Sequence, residues 1–211
     1  MGYKPYLAMV ADLVAGKRLV ASGMRQEAAR AEAAIAAASA GARVAVLSTG
    51  DAGIYGMAGL VLELLPEDSG VAVEVVPGVT AASAAAACLG APLMNDFAVV
   101  SLSDLLTPLA LIERRLTAVA EGDFVVVLYN PRSARRHEPL RRALAILRTR
   151  RAPDTPVGVV RNALRADQRV LTTSLAELRE EDIDMMTVLV VGDSTTVVRG
   201  GRMVTPRGYP S

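Results

Sequence analysis

The chain has 211 residues, 52% of them hydrophobic, 21% charged and 3% aromatic, with a formal net charge of +1. Length and apolar content suit one large or two small globular domains and exclude a disordered chain. Near-neutrality argues against a nucleic-acid partner, and no apolar run reaches the roughly 18 residues that suggest a membrane-spanning helix.

Apolar spacing predicts a helix over 6–15, and a short Val-bearing strand follows at 18–21. A long Ala-rich helix is expected over 25–40, where interspersed Glu and Arg support helical pairing. The strand 43–48 leads into a glycine-bearing loop and the helix 57–65. The strand 71–76 then leads into the helix 80–89. The second half continues with strand 98–102, helix 108–120, strand 124–129 and helix 139–150. It ends on strands 157–160 and 169–173, a helix over 175–180, and the strand 187–191. Alternation of this kind predicts an α/β fold with largely parallel strands, and the short loop before 169 predicts a hairpin. Ser103, Asp104, Thr107 and Pro108 interrupt the apolar pattern, which puts a boundary between domains 1–104 and 105–211.

In open parallel sheets, ligands sit beyond the carboxyl ends of strands. After 43–48 the chain reads Ser48-Thr49-Gly50-Asp51-Ala52-Gly53-Ile54-Tyr55-Gly56. Its glycines let a ligand approach the backbone, and Asp51 offers an acceptor for ribose hydroxyls or an ammonium group. The competing role for Asp51 is a helix cap. After 71–76 comes Pro77-Gly78-Val79-Thr80-Ala81, small residues opening a helix whose first N–H groups are free. After 124–129, Asn130 and Arg132 place an amide and a guanidinium at a strand end. After 157–160, Arg161, Asn162 and Ala163 open the hairpin loop. Each of these segments also reads as an ordinary turn.

Taken in order, TGDAGIYG (49–56), PGVTAAS (77–83), LYNPRS (128–133) and VRNALRADQRV (160–170) resemble the successive cofactor-cleft motifs of the tetrapyrrole (corrin/porphyrin) methylase family. GMRQE (23–27), SLSDLLTP (101–108) and VGDSTT (191–196) are similar to its precorrin-3B C17-methyltransferase subgroup. The resemblance spans essentially the whole chain. It implies two α/β domains with S-adenosylmethionine in a cleft between them, in a homodimer. It assigns cofactor contacts to Thr49, Gly50, Asp51, Ile54, Thr80, Ala81, Asn130 and Ala163. The implied reaction is methylation of precorrin-3B at C17 with contraction of the macrocycle to precorrin-4, in cobalamin biosynthesis, with no metal required.

Arg25, Arg132 and Arg161 are candidate clamps for the substrate's carboxylates, because a guanidinium fork matches a carboxylate. Ser101 and Asp104 are candidates for the proton movement that ring contraction needs. His137, the only histidine, reads as a surface residue at a helix start, and Cys88 as core. No metal-binding motif occurs, and no cleavable leader is recognised, so a cytoplasmic protein is expected. Family members open on a strand and a glycine- and proline-rich loop, whereas Met1-Gly2-Tyr3-Lys4 resembles the segment after it. The expectation is therefore a first domain without that strand. Competing readings are the cobalt-factor III enzyme of the anaerobic route, a catalytically silent binding chain, and a nucleotide-binding oxidoreductase. The last lacks a GxGxxG after its first strand.

Overall fold

Valine runs become strands only where a neighbour satisfies their backbone, and the two halves of this chain differ in that respect. The computed structural model describes residues 1–210, so Ser211, the last residue of the expected second domain, lies outside the described residues. The chain divides into two units, Met1–Thr80 and the remainder from Ala81. The expected boundary at 104/105 falls inside the second unit, because the strand just before it is hydrogen-bonded to the strand at 125–129.

The first unit carries β1 (Gly2–Tyr3), α1 (Lys4–Met9), β2 (Ala21–Ser22), α2 (Glu27–Ser39) and α3 (Met57–Leu64). β1 pairs in parallel with β2 on one side and bridges to Leu47 on the other. The expected strand 18–21 is reduced to Ala21–Ser22. The expected strand 43–48 makes one bridge, at Leu47, and 71–76 joins no ladder among the described residues. Val73, Val75 and Val76 of that last segment are exposed. Ala31, Met57 and Val61 form a small core between α2 and α3, with Ile35, Val46 and Leu60 packed against it.

The second unit begins with α4 (Ala81–Leu89), β3 (Gly90–Ala91), β4 (Phe97–Ser101), α5 (Leu109–Glu121), β5 (Val125–Tyr129) and α6 (Glu138–Arg148). It continues with β6 (Pro156–Arg161), β7 (Arg169–Ser174), β8 (Thr187–Val191), β9 (Val197–Arg199) and β10 (Arg202–Val204). Five strands form one sheet in the order β4-β5-β8-β6-β7. Only β4 and β5 run parallel; β8 is inserted antiparallel between β5 and β6, and β6–β7 is a hairpin. The fold class is α/β as expected, but this sheet is mixed rather than largely parallel.

All five residues of β8 are buried, as are Val125–Leu128 of β5. A strand buried on both faces reads as a continuous apolar run, which is what TVLVV and VVVL are. One face packs on α5 and α6 through Ile112, Leu116, Leu140, Leu144 and Leu147. The other packs on α4 through Ala82, Ala85 and Leu89. The expected helix 175–180 is absent. Leu175 and Ala176 donate their N–H groups to the carbonyls of Thr155 and Pro153 instead of continuing a helix. A 3-10 turn follows at Glu180–Asp182.

Candidate functional site

In the first unit, two loops meet at Asp51. Its Oδ1 accepts the Gly53 N–H at 2.7 Å and its Oδ2 accepts the Gly78 N–H at 2.9 Å. The Gly78 and Gly53 amides hold the Asp51 carboxyl below its ordinary range. Gly78 must lack a side chain here, since a Cβ would lie 2.1 Å from the Gly50 carbonyl oxygen. Gly50 itself has φ +74, a conformation glycine adopts at no steric cost.

The helix-cap role considered for Asp51 falls to another residue. Ser48 Oγ accepts the Met57 N–H at 3.1 Å, at the first turn of α3. Asp51 instead ties 49–53 to 77–78. Gly50, Gly53 and Ile54 are exposed, and Thr49 is half-buried beside them. Thr80, half-buried, closes the unit. Arg25 stands apart from these loops in sequence. It is exposed, has φ +62, and its side chain makes no hydrogen bond or ion pair among the described residues.

In the second unit, strand register collects several loops at one edge of the five-stranded sheet. Ser101 pairs with Tyr129 at the carboxyl ends of β4 and β5. β8 runs the opposite way, so its start at Thr187 lies beside Arg161, the end of β6, which in turn faces Arg169. The loops 102–108, 130–137, 162–168 and 184–186 therefore share that edge. Leu105, Leu106, Leu164, Met185 and Met186 of these loops are exposed, Leu106 at 99%.

Within this edge Asn130 Nδ2 donates to Ser101 Oγ at 3.0 Å, which joins a cofactor candidate to a proton-transfer candidate. Asp104 lies 3.8 Å from Arg136 Nε. Tyr129, which sequence reasoning passed over, accepts the Ala82 N–H at 2.6 Å on its phenol oxygen, next to Ala81 at the start of α4. Ala163 packs against the cluster that includes Ala82, Val160 and Val188.

Two of the three arginines expected as clamps, Arg132 and Arg161, are already engaged. Arg132 Nε donates to His137 Nδ1 at 2.7 Å, and its Nη1 donates to the Glu180 carbonyl. His137 is accordingly half-buried rather than a free surface residue. Arg161 donates to Asp184 Oδ2 at 2.8 Å and to Asp167 Oδ2 at 3.1 Å. Burial alone would raise both carboxyls, but hydrogen bonds from Arg161, with Asn162 on Asp167 and Thr187 on Asp184, hold both below the ordinary range. Part of each guanidinium fork is thus already spent on the protein. Asn162, buried with φ +48, donates to Asp167 at 2.6 Å and leaves its Oδ1 buried without a protein partner.

Among the described residues no helix is long and apolar enough to cross a membrane. None of their His, Cys, Asp and Glu side chains gather in threes to hold a metal ion.

A family model described as Tetrapyrrole (Corrin/Porphyrin) Methylases matches residues 3–179. A probable cobalt-factor III C(17)-methyltransferase of Salmonella typhimurium is 49% identical over 210 residues, covering 99% of this chain and 87% of the relative. The cobalt-factor III methyltransferase of Priestia megaterium is 46% identical over 214 residues, covering 99% of this chain; the chain spans only 40% of that relative's length. Among solved structures, a crystal structure of the methyltransferase CobJ superposes with a TM-score of 0.91 at 39% identity. That match covers 97% of this chain and 87% of the other.

Proposed function

The chain belongs to the tetrapyrrole (corrin/porphyrin) methylases, and from that membership we propose that it transfers the methyl group of S-adenosylmethionine to C17 of a cobalamin-precursor tetrapyrrole. The observation that carries this reading is the identity of 49% to a C17-methyltransferase along 99% of this chain and 87% of the relative. The substrate proposed is precorrin-3B, methylated with ring contraction to precorrin-4. Cobalt-factor III is the second reading, favoured by the names of the Salmonella and Priestia relatives. A homodimer is proposed with it.

S-adenosylmethionine, when bound, supplies an electrophilic methyl group on a positively charged sulfur. The residues present fit such a ligand. Thr49, Gly50, Gly53 and Ile54 leave uncovered backbone in a loop fixed by Asp51, and small side chains recur at Thr80, Ala81 and Ala163. In this proposal Thr49, Gly50, Ile54, Thr80, Ala81, Asn130 and Ala163 hold the cofactor, mostly through main-chain groups. Asp51 shapes the loop rather than contacting the ligand with a free carboxylate. The chain's main catalytic contribution is then positioning, which in well-oriented reactions is worth up to about 7–11 kcal/mol. Ser101, hydrogen-bonded to Asn130, and Asp104, beside Arg136, are proposed to hold or move protons during contraction. For the substrate's carboxylates, Arg25 is the most available of the three arginines, because Arg132 and Arg161 already meet protein acceptors.

Titration calorimetry with S-adenosylhomocysteine tests the cofactor half. Saturable binding by the full chain is expected, and weakened binding in a Gly53→Val variant. Absence of binding at millimolar ligand contradicts the proposal.

A further inference from the structure

We infer that Arg136 is a positioning residue, which holds the loops after β4 and β5 and the segment before β8 in one arrangement at the candidate site. Its functional half rests on the methyl transfer proposed above. Sequence pattern hides this residue, because Arg136 lies before the helix expected over 139–150, among several basic residues. In the structure α6 begins at Glu138. Ser133 and Arg136 exchange backbone hydrogen bonds of 3.0 and 3.3 Å, closing a tight turn before the helix. The Arg136 side chain is left only 15% exposed.

Each arm of the guanidinium reaches a different loop. Nη1 donates to the Leu102 carbonyl, just beyond β4. Nη2 donates to the Asn130 carbonyl at 2.6 Å, just beyond β5, and lies 3.7 Å from Met185 Sδ, just before β8. Nε lies 3.8 Å from Asp104 Oδ1. Asn130 has φ +51, which is uncommon for a residue with a side chain, so the direction of its carbonyl depends on what holds it. Its amide in turn donates to Ser101 Oγ. The cofactor candidate Asn130 and both proton-transfer candidates, Ser101 and Asp104, are thus connected through one planar cation.

Because its arms meet protein acceptors, Arg136 acts through the residues it holds. Lysine cannot substitute fully: an ammonium is a compact point charge and does not span two carbonyls as a fork does. Arg151 provides an internal control. It too donates to two carbonyls, of Ala120 and Phe124, but these flank the start of β5, at the end of the strand remote from Tyr129.

The test uses the full chain with Arg136→Lys, Arg136→Gln and, as control, Arg151→Lys. Amide hydrogen exchange at 102–104 and at 130 is followed beside that of the β5 and β8 amides, together with the melting temperature and steady-state kinetics with S-adenosylmethionine and precorrin-3B. Expected for both Arg136 variants is faster exchange at 102–104 and 130, with β5 and β8 still protected. The kcat should fall about tenfold to hundredfold with a change in tetrapyrrole KM of less than about threefold, because small misplacements of reacting groups cost rate steeply. Lysine should recover part of the kcat. Arg151→Lys should lower the melting temperature and leave kcat near that of the parent. Unchanged exchange at 102–104 and 130 overturns the loop-holding role, and unchanged kcat in a folded Arg136→Gln chain overturns the functional one. If the parent chain transfers no methyl group, the proposed function fails separately, while the exchange data still decide whether Arg136 holds these loops.

Discussion

The two units use the same residue types to different ends. In the second, Val125–Leu128 and Val188–Val191 lie in paired strands with helices on both faces of the sheet, and every one of them is buried. In the first, 71–76 has a comparable valine pattern, yet Val73, Val75 and Val76 stay exposed and the segment joins no ladder among the described residues. The β propensity of a segment describes its fit to a pleated, half-buried surface, not a backbone preference that acts alone. A strand is completed by its neighbours. The first unit is held by a small cluster between α2 and α3, the β1 bridges, the buried Arg30 with its bonds to Ser22 and Gly23, and the staple at Asp51.

This contrast is sharpest in truncations of buried and exposed side chains. Leu128→Ala in β5 removes a fully buried side chain from the main core and should cost about 2–5 kcal/mol. Val75→Ala, at a position 43% exposed, should cost within about 0.5 kcal/mol. Paired urea titrations check the difference, and equal losses would show that burial in paired strands does not separate the two valine- and leucine-bearing segments.

A smaller but still large effect is expected at Arg151. Its side chain is 2% exposed and pairs with Asp123 at 2.8 Å, while also satisfying the Ala120 and Phe124 carbonyls. Arg151→Ala strands two backbone acceptors, though half-exposed Asp123 regains water. The expected loss is about 2–3 kcal/mol. A melt that moves as little as for a surface substitution would show that the second unit does not depend on this anchor.

The smallest expected effect on global stability lies at Asp51. Its folded carboxyl is held below the ordinary value, first by the Gly78 N–H and then by that of Gly53. A depressed carboxyl contributes stability that is present above the unfolded pKa of about 3.9 and is lost as pH falls through the lower folded value. Order at Gly53 and Gly78 should therefore fade on acidification below about pH 4, seen by amide chemical shifts. Asp51→Asn keeps one carbonyl acceptor for two N–H donors. It should loosen one loop contact at neutral pH and remove the acid transition, with little change in the melt of the second unit.

Much of the second unit was legible in sequence, because strands buried on both faces appear as uninterrupted apolar runs. Observed β8 matches its expected bounds, and β6–β7 is the hairpin its short loop suggests. The mixed arrangement was not legible, since β8 enters the sheet antiparallel from far along the chain and pattern carries no record of direction. Strands of two or three residues such as β3, β9 and β10 leave no periodicity to read. Leu175 and Leu178, three apart and both buried, imitate a helix face while their segment bonds to Thr155 and Pro153. In the candidate site, glycine-bearing loops and strand-end polar residues were legible as types. Their partners were not: Asp51 turns out to staple two loops, Arg132 and Arg161 spend their guanidinium groups on the protein, and Arg136 gathers three loops.

Methyl transfer to C17 is followed with S-adenosylmethionine labelled with carbon-13 at the methyl group. The full chain is incubated separately with precorrin-3B and with cobalt-factor III, and the product is examined by carbon-13 nuclear magnetic resonance. One new labelled methyl is expected on the C17 carbon of a ring-contracted product from one of the two substrates. A label found on another ring carbon, or on neither substrate while S-adenosylhomocysteine still binds, would contradict C17 methyl transfer.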